Sequence, residues 1–422
     1  MNYSESIAYL YGLQKFGIKL GLHTIKRLLS SIGDPHKKFP SIHIAGTNGK
    51  GSTAAFLASV LTEAGYTTGL YTSPHLLSFN ERIRVGSRTI SKKDVVRLTT
   101  VLQKKSRGFA SITYFEMVTA MAFLYFAERK VDCAILEVGM GGRLDATNVI
   151  SPLLSIITTI SKEHEFYLGP TLRHIVQEKA GIIKRKRPVV TAVTQPALIK
   201  FLQEKCRIKH SRLYCLGKDF TLEPTSSETF AYHGMTFNLK GITLGLRGEF
   251  QVTNAALALA AIDILKSTSF SIDTKSILHG LAKVHWPGRL ETVKSVPQVI
   301  LDGAHNPDAM NNLMKSILND FKFRRFFLVL GIMEDKNIKK MIGDIVKHAH
   351  MIILCRPRMD RAATTKNLAH ILEGFNLKNF KVIDDVAKAT QFALTRARKD
   401  DLICVTGSLF TVAEAHRFFK KR

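Results

Sequence analysis

The stretch Ile42-His-Ile-Ala-Gly-Thr-Asn-Gly-Lys-Gly-Ser-Thr53 decides the fold. A β-branched apolar run ends at Ala45, a glycine-rich turn follows, and Ala54-Ala-Phe-Leu-Ala58 has helical composition. The order is strand, loop, helix. Glycines at 46, 49 and 51 let backbone N–H groups crowd round an anion without a Cβ in the way. The loop opens onto a helix N-terminus, whose free N–H groups and dipole favour phosphate. Lys50 supplies a charge for the β- and γ-phosphates, and Ser52 or Thr53 a hydroxyl near Mg²⁺. This is a shortened phosphate loop, because Ile44 stands where the common pattern has its first glycine and Gly51 displaces the hydroxyl. The alternative is a strand-to-helix turn with no ligand, but turn geometry alone does not require a lysine among three glycines.

Working outward, 422 residues exceed one ordinary core, so two or three domains are expected. Hydrophobic residues make up 45% and charged residues 23%, the globular range. No apolar run reaches the ~18 residues of a membrane span, and Met1-Asn-Tyr-Ser-Glu-Ser6 has neither the basic nor the apolar part of a secretory signal. Five scattered cysteines without a CxxC pair point to a reducing, cytoplasmic setting. A net charge of +27 attracts anions of any size. The basic residues are dispersed, and the densest run, Lys184-Arg-Lys-Arg187 before Pro188, reads as cations closing a helix.

Residues 1–39 read as helical with a break at Gly12. From residue 40 onward, strands and helices alternate. Strands are expected at 67–71, 131–137, 153–159 and 188–193, with helices near 91–105, 113–130, 170–183 and 254–266. Residues 207–250 carry short alternating stretches between glycines and read as a small antiparallel patch. A boundary falls near Trp286-Pro-Gly-Arg-Leu-Glu291, after which strands at 299–302, 326–330, 351–354, 381–383 and 402–406 alternate with helices. The fold class is therefore α/β: an N-terminal phosphate-loop ATPase-like domain, 1–288, with a mostly parallel sheet, and a smaller Rossmann-like domain, 289–422.

Polar residues gather where such strands end. Glu137 closes the apolar run from Val131, at the carboxyl end of a strand, where open α/β sheets bind ligands; a carboxylate there suits Mg²⁺, or else caps the next loop. Gly139-Met-Gly-Gly-Arg-Leu-Asp-Ala-Thr-Asn148 reads as a substrate-cradling loop, since turn chemistry does not need Arg143 and Asp145 together. His164 follows another strand, and is either a surface residue or a metal or phosphate contact. Lys179 sits on a helix and by itself reads as an ordinary exposed lysine. Asp302 and His305 lie at a strand-to-loop transition in the second domain, with Pro307 suited to a first helical turn. Polar clusters on both domains suggest a site shared between them.

Together these motifs resemble the dihydrofolate synthase/folylpolyglutamate synthase family of the Mur-ligase superfamily. The matching pieces are Gly46-Thr-Asn-Gly-Lys-Gly-Ser52, Thr72-Ser-Pro-His-Leu76, Thr113-Tyr-Phe-Glu116, Glu137 through Asn148, Glu178-Lys-Ala-Gly-Ile182, Pro287-Gly-Arg-Leu-Glu291, Asp302 through Pro307 and Thr406-Gly-Ser-Leu409. They span nearly the whole chain in family order. The resemblance implies ATP-dependent joining of L-glutamate to dihydropteroate and to the γ-carboxylate of reduced folates through an acyl phosphate, by a monomeric enzyme with no nucleic-acid or membrane partner. It implies nucleotide contacts from Thr47, Asn48, Gly49, Lys50, Gly51, Ser52, Asn254, Arg289 and Asp302, and catalytic roles for Lys50, Lys179 and His305. Ser73, Glu137 and His164 match Mg²⁺ ligands, and Lys179 matches a lysine that is carbamylated to bind a second Mg²⁺. Leu20, Gly21, Leu22, Thr113, Tyr114, Phe115, Glu116, Leu144, Asp145 and Ala146 match the pterin side. Two positions depart from the pattern: Glu163 replaces the aspartate before the histidine, and Phe250 replaces a histidine before Gln251.

Three other readings compete. A nucleic-acid-dependent ATPase would carry clustered Lys/Arg with interleaved aromatics along a groove, which dispersed charge and a single tryptophan do not supply. A non-enzymatic nucleotide-binding module would not need Glu137, His164 and Lys179 as well as the loop. Within the ligases, a monofunctional folylpolyglutamate synthase remains the alternative.

Overall fold

The computed structural model describes the chain apart from Ile18, Leu20, Ala110, Ser227, Asp344, Asn376, Lys378, Lys421 and Arg422. It forms two compact units, Met1–Gly245 with Val252–Val284, and Leu246–Gln251 with His285–Arg422. The chain thus passes into the second unit between Val284 and His285, slightly before the 288/289 junction suggested by the sequence. The short segment Leu246–Gln251 also groups with the second unit.

The first unit is built on eight strands: β1 (Ser41–Ala45), β2 (Thr68–Tyr71), β3 (Ile83–Val85), β4 (Arg88–Thr89), β5 (Cys133–Glu137), β6 (Leu154–Ile157), β7 (Val189–Thr191) and β8 (Leu213–Cys215). Their order is β4-β3-β2-β5-β1-β6-β7-β8. From β2 to β8 the pairing is parallel, and β3 and β4 add an antiparallel hairpin at one edge. β1 is buried along its whole length at the centre, as its β-branched composition requires. Ile42 pairs with Ile135, so His43, Ala45, Ala134 and Leu136 share one face and Ile42, Ile44 and Ile135 the other. The first face packs on the helices Tyr3–Gly12, His23–Ser31, Lys92–Lys105 and Tyr114–Glu128 around Leu136, and on Leu172–Lys179 and Pro196–Ile208 around Ile157. The helix Lys50–Glu63 packs against β2 and β5, and carries Thr274–Lys283 on its outer side.

Two sequence expectations change here. Leu213–Cys215 is not part of the antiparallel patch but the last parallel strand of the main sheet. The patch proper is a separate antiparallel sheet of β9 (Thr221–Pro224), β10 (Phe230–His233) and β11 (Asn238–Ile242). The separating turn is Gly217, at φ 80°, a signal that does not say which sheet its flanks join. Lys184-Arg-Lys-Arg187 does not close a helix either: the helical turns end at Ile182, and the run forms the turn into β7.

The second unit holds β12 (Glu291–Ser295), β13 (Gln298–Leu301), β14 (Phe326–Leu330), β15 (Met351–Leu354), β16 (Phe380–Val382) and β17 (Leu402–Thr406) in the order β12-β13-β17-β14-β15-β16. All pairs are parallel except β12 with β13. Ile300, Leu328, Leu330, Ile352, Leu354, Leu402 and Cys404 pack under the helices Pro307–Asp320 and Thr365–Glu373. Among the described residues no helix is long and apolar enough to cross a membrane.

Gly280 shows how tightly the helix pair of the first unit is set. A Cβ there would lie 2.6 Å from the Val60 Cα, and the Ser59 hydroxyl donates to the Gly280 carbonyl at 2.7 Å. Gly280→Ala gains at most about 1 kcal/mol of helix propensity, against about 1–3 kcal/mol for overpacking against backbone. The variant is expected to be less stable, with a lower urea midpoint; an unchanged or higher midpoint refutes the packing account.

Candidate active site

The phosphate loop runs from the end of β1 to the helix Lys50–Glu63, and its shape depends on two glycines. Gly46 has φ 153°, and a Cβ on it would sit 1.8 Å from the Thr158 Oγ1. Gly49 has φ 87° at the helix N-cap, and its Cβ would sit 2.1 Å from the Asn254 Oδ1. A side chain is excluded at both by sterics as well as by backbone conformation. Residues just beyond β6 clamp the loop from the side. The Thr47 N–H donates to the Thr159 carbonyl at 2.7 Å, the Thr47 hydroxyl to the Ser161 carbonyl at 3.1 Å, and the Thr158 hydroxyl to the Asn48 carbonyl at 2.6 Å. Ser52, on the first helical turn, is buried.

The Lys50 ammonium lies back over the loop and donates to the carbonyls of Gly46 and Thr47, both at 3.0 Å. Lys179 reaches the same Gly46 carbonyl at 2.7 Å. The sequence reading of an exposed lysine is overturned, since Lys179 is only 3% exposed. Its amine pKa falls to about 7, first through burial and then through the charge of Lys50; Glu163 and Asp145 pull the other way. The helix Leu172–Lys179 ends at this lysine, so the last turn points the amine at the loop.

Glu137 is buried at the carboxyl end of β5, level with Ile44, and its Oε2 accepts the Ser73 N–H at 3.0 Å. His164 has left-handed backbone (φ 53°, ψ 38°), uncommon for a residue with a side chain, and its Nε2 lies 3.8 Å from a Glu163 carboxylate oxygen. Among the described residues no three His, Cys, Asp or Glu side chains gather as a metal cluster. Glu137 supplies the kind of oxygen ligand Mg²⁺ takes, a single carboxylate beside substrate phosphates being a common arrangement.

Four of the residues expected on the pterin side share one apolar cluster: Leu22, Tyr114 and Phe115 pack against it, and Ala146 lies inside it. Phe115 fits because position 139 is glycine; a Cβ there would meet its ring at 2.4 Å. Tyr114 stacks on Tyr11 at 5.6 Å between centroids, under the Arg82 guanidinium. Gly21 and Leu144 are half-buried, and Leu20 lies outside the described residues. Two carboxylates read as contacts are committed to local structure. Glu116 forms a capping box with Thr113, accepting its N–H at 2.9 Å and its hydroxyl at 2.8 Å. Asp145 accepts the Met140 and Thr147 N–H groups, both at 3.0 Å, and its carboxyl pKa is raised by burial. Arg143, in the loop expected to cradle substrate, pairs with Glu178 at 2.9 Å and donates its own N–H to the Glu178 carbonyl at 2.7 Å.

In the second unit, Asp302 is buried at the end of β13 and accepts the Leu290 N–H at 2.8 Å and the Ala304 N–H at 2.9 Å. Burial raises its pKa, opposed most by the neighbouring Arg289. Arg289 lies over Gly303, and the His305 Nδ1 donates to the Gly303 carbonyl at 2.8 Å. Arg289, Asp302 and His305 therefore form one cluster. Phe250 lies over Gly248 in the segment that groups with this unit.

Comparison with known proteins matches residues 44–262 to the Mur ligase middle domain and 288–409 to the Mur ligase glutamate ligase domain. The chain is 37% identical over 430 residues to the dihydrofolate synthase/folylpolyglutamate synthase of Bacillus subtilis, covering 99% of each chain. The chain belongs to the dihydrofolate synthase/folylpolyglutamate synthase family of Mur ligases. The Escherichia coli member is 33% identical over 411 residues, covering 96% of this chain and 93% of that one. A structure of Escherichia coli FolC in complex with DHPP and ADP superposes with a TM-score of 0.91 at 31% identity, covering 100% of this chain and 98% of that one. A Mycobacterium tuberculosis folylpolyglutamate synthase complexed with ADP and AMPPCP gives 0.90 at 30%, with 99% of each chain covered.

Sequence reasoning missed the clamp residues Thr158, Thr159 and Ser161, because hydroxyls after a strand carry no signature of their partner. It also missed His43. This histidine is fully buried on β1, its pKa pushed down to about 3, and its Nε2 lies 2.8 Å from the Thr147 Oγ1. The Thr147 hydroxyl donates to the Asp145 Oδ1 at 2.5 Å, so the His43 Nε2 must be the donor to Thr147. The chain His43–Thr147–Asp145 ties the 139–148 loop to the strand that carries the phosphate loop. Thr147→Val leaves both partners without the hydroxyl, and a loss of about 1–3 kcal/mol is expected. Thr147→Ser should recover most of it; equal denaturant midpoints for all three proteins reject the tie.

Proposed function

We propose that the protein ligates L-glutamate to dihydropteroate, giving dihydrofolate, and to the γ-carboxylate of reduced folates, with ATP consumed to ADP and phosphate. The observation that carries this is the phosphate loop with two lysine amines on the Gly46 carbonyl, in a chain whose relatives act on such substrates. A carboxylate oxygen of the acceptor takes the γ-phosphoryl group, leaving ADP. The glutamate amine then adds to the acyl carbon, and the tetrahedral intermediate expels inorganic phosphate as the amine loses its proton. This chemistry needs placement and charge neutralisation rather than a protein nucleophile.

Lys50 turns from the loop carbonyls onto the phosphates, and the loop N–H groups of residues 47–52 hold them. Asn254, packed over Gly49, closes the nucleotide side in the first unit. Within the second unit, the cluster of Arg289, Asp302 and His305 is read by family resemblance as nucleotide contacts for the first two and a glutamate-orienting group for the third. Ser73, Glu137 and His164 would hold Mg²⁺, which neutralises phosphate charge when bound. The Lys179 amine is neutral above its pKa of about 7 and adds to CO₂, forming a carbamate and releasing a proton. That converts a buried amine into a carboxylate able to take a second Mg²⁺. The five free, buried thiols suit a reducing compartment such as the cytoplasm.

Incubation with ATP, Mg²⁺ and glutamate, with dihydropteroate in one tube and a reduced folate in another, tests the reading; ADP release with neither acceptor rejects it, and release with the folate alone identifies a monofunctional synthase. Lys50→Ala is expected to lose acceptor-dependent ADP release while keeping its thermal transition. With ¹³C-bicarbonate, a carbamate resonance is expected that grows as pH rises through about 7 and is missing from Lys179→Ala. Short carboxylic acids should partly restore that variant's activity. A wild-type spectrum without the resonance at any pH, together with full activity of Lys179→Ala, rejects the carbamate.

A further inference from the structure

The phosphate loop uses the carboxyl edge of the first unit's sheet. The amino edge of the same sheet, where β6, β7 and β8 begin, carries a separate cavity of about 430 Å³. Its rim is basic: Lys186 and Arg187 come from the turn before β7, and His210 and Arg212 from the turn before β8. The two turns are stitched together. The Lys186 N–H donates to the Lys209 carbonyl at 2.9 Å, the Ser211 hydroxyl to the Lys184 carbonyl at 2.8 Å, and the Val189 N–H to the Arg212 carbonyl at 2.9 Å. Lys186 (φ 57°) and His210 (φ 51°) both hold left-handed backbone that glycine would adopt more easily. The walls are apolar, from Leu153, Leu154, Pro188 and Ile264, and Tyr214 presents a ring under the Arg212 guanidinium, 4.7 Å from its centroid.

The charges in this cavity do not cancel one another. Among the described residues, Lys186, Arg187 and Arg212 form no ion pair, whereas the neighbouring Arg207 pairs with Glu204 at 2.8 Å. The one carboxylate in the lining, Asp263, is fully buried and turned to other donors: the N–H of Met235 at 2.6 Å, the N–H of Thr236 at 3.2 Å, and the hydroxyls of Thr236 and Tyr232. The helix Glu249–Lys266 also ends here, and a helix C-terminus contributes about half a negative charge. Its Ile264 and Leu265 carbonyls are already taken by Ser267 and Thr268. Three permanent cations outweigh these terms, and the volume lies in the range of small-molecule sites, roughly 300–1,000 Å³.

We propose that this cavity is a second ligand site, for a small organic anion with a flat ring and at least two negative charges. The ring lies against Tyr214 and the apolar wall, and the anionic groups meet Lys186, Arg187 and Arg212. A nucleoside diphosphate and a pterin carrying several glutamyl carboxylates both have this chemistry. The proposal stands apart from the ligase reading, which uses the other edge of the sheet.

Calorimetric titration of the full-length Lys50→Ala protein, whose phosphate loop has lost its ammonium, tests it, with ADP in one series and pteroyl-tri-γ-glutamate in another, at low salt without Mg²⁺. Saturable binding of at least one probe is expected, and the series that responds names the source. Adding Arg187→Glu with Arg212→Glu should weaken that binding about tenfold or more. Tyr214→Ala, which keeps every charge, should also weaken it. Turnover of the charge-reversed chain with Lys50 present confirms that it folds, and Tyr214→Ala carries the test if it does not. Absence of binding by both probes overturns the proposal. So does affinity unchanged by the substitutions, or inorganic triphosphate binding as tightly as the ring-bearing probes.

Discussion

Two lysine amines meet at one carbonyl oxygen, that of Gly46, and much of the first unit is arranged around this. With donor distances of 3.0 and 2.7 Å, the nitrogens lie no more than about 6 Å apart. Two full charges at that separation repel by about 3 kcal/mol at an effective dielectric of about 20. The half-buried Lys50 keeps water, whereas Lys179 is sealed in protein. Burial, and then the charge of Lys50, lower the Lys179 pKa to about 7, so the ammonium form is costly there.

The geometry that brings them together is that of a parallel sheet. β1 and β6 are neighbours, so the loop after one and the residues after the other emerge side by side. Thr158, Thr159 and Ser161 can then hold Thr47 and Asn48 through short hydrogen bonds. β5, on the other side of β1, delivers Glu137 to the same edge. Helix C-termini supply what strands cannot, since Lys179 is the last residue of its helix. The amino edge receives the opposite turns, and with them Lys186, Arg187 and Arg212, which form no ion pair among the described residues.

The second unit repeats the principle with different groups. Its polar cluster also follows a parallel strand, and Asp302 secures it by accepting N–H groups from both Leu290 and Ala304. A buried carboxylate with two such donors is held rigidly, which places Arg289 and His305 on a fixed loop. In the 139–148 loop of the first unit, Asp145 does the same, with Thr147 and His43 behind it.

Composition and spacing alone determined the strand-loop-helix unit at 42–58 and the alternation of strands and helices in both units, because a glycine-rich turn around a lysine and a periodic apolar pattern are local signals; the family came from the resemblance of a string of ordered motifs. They also marked Glu137, Asp302 and His305, since polar residues at strand ends stand out in the sequence. Tertiary structure alone decided the rest. Lys179 read as exposed, and only packing against the phosphate loop showed it buried. Arg143 read as part of a substrate-cradling loop, and only the fold showed its pairing with Glu178, 35 positions away. Leu213–Cys215 read as part of a small patch, yet joins the main sheet. Hydrogen-bond partners, burial and strand order depend on residues tens to hundreds of positions away, and a linear pattern carries no record of which distant group will fill a given space.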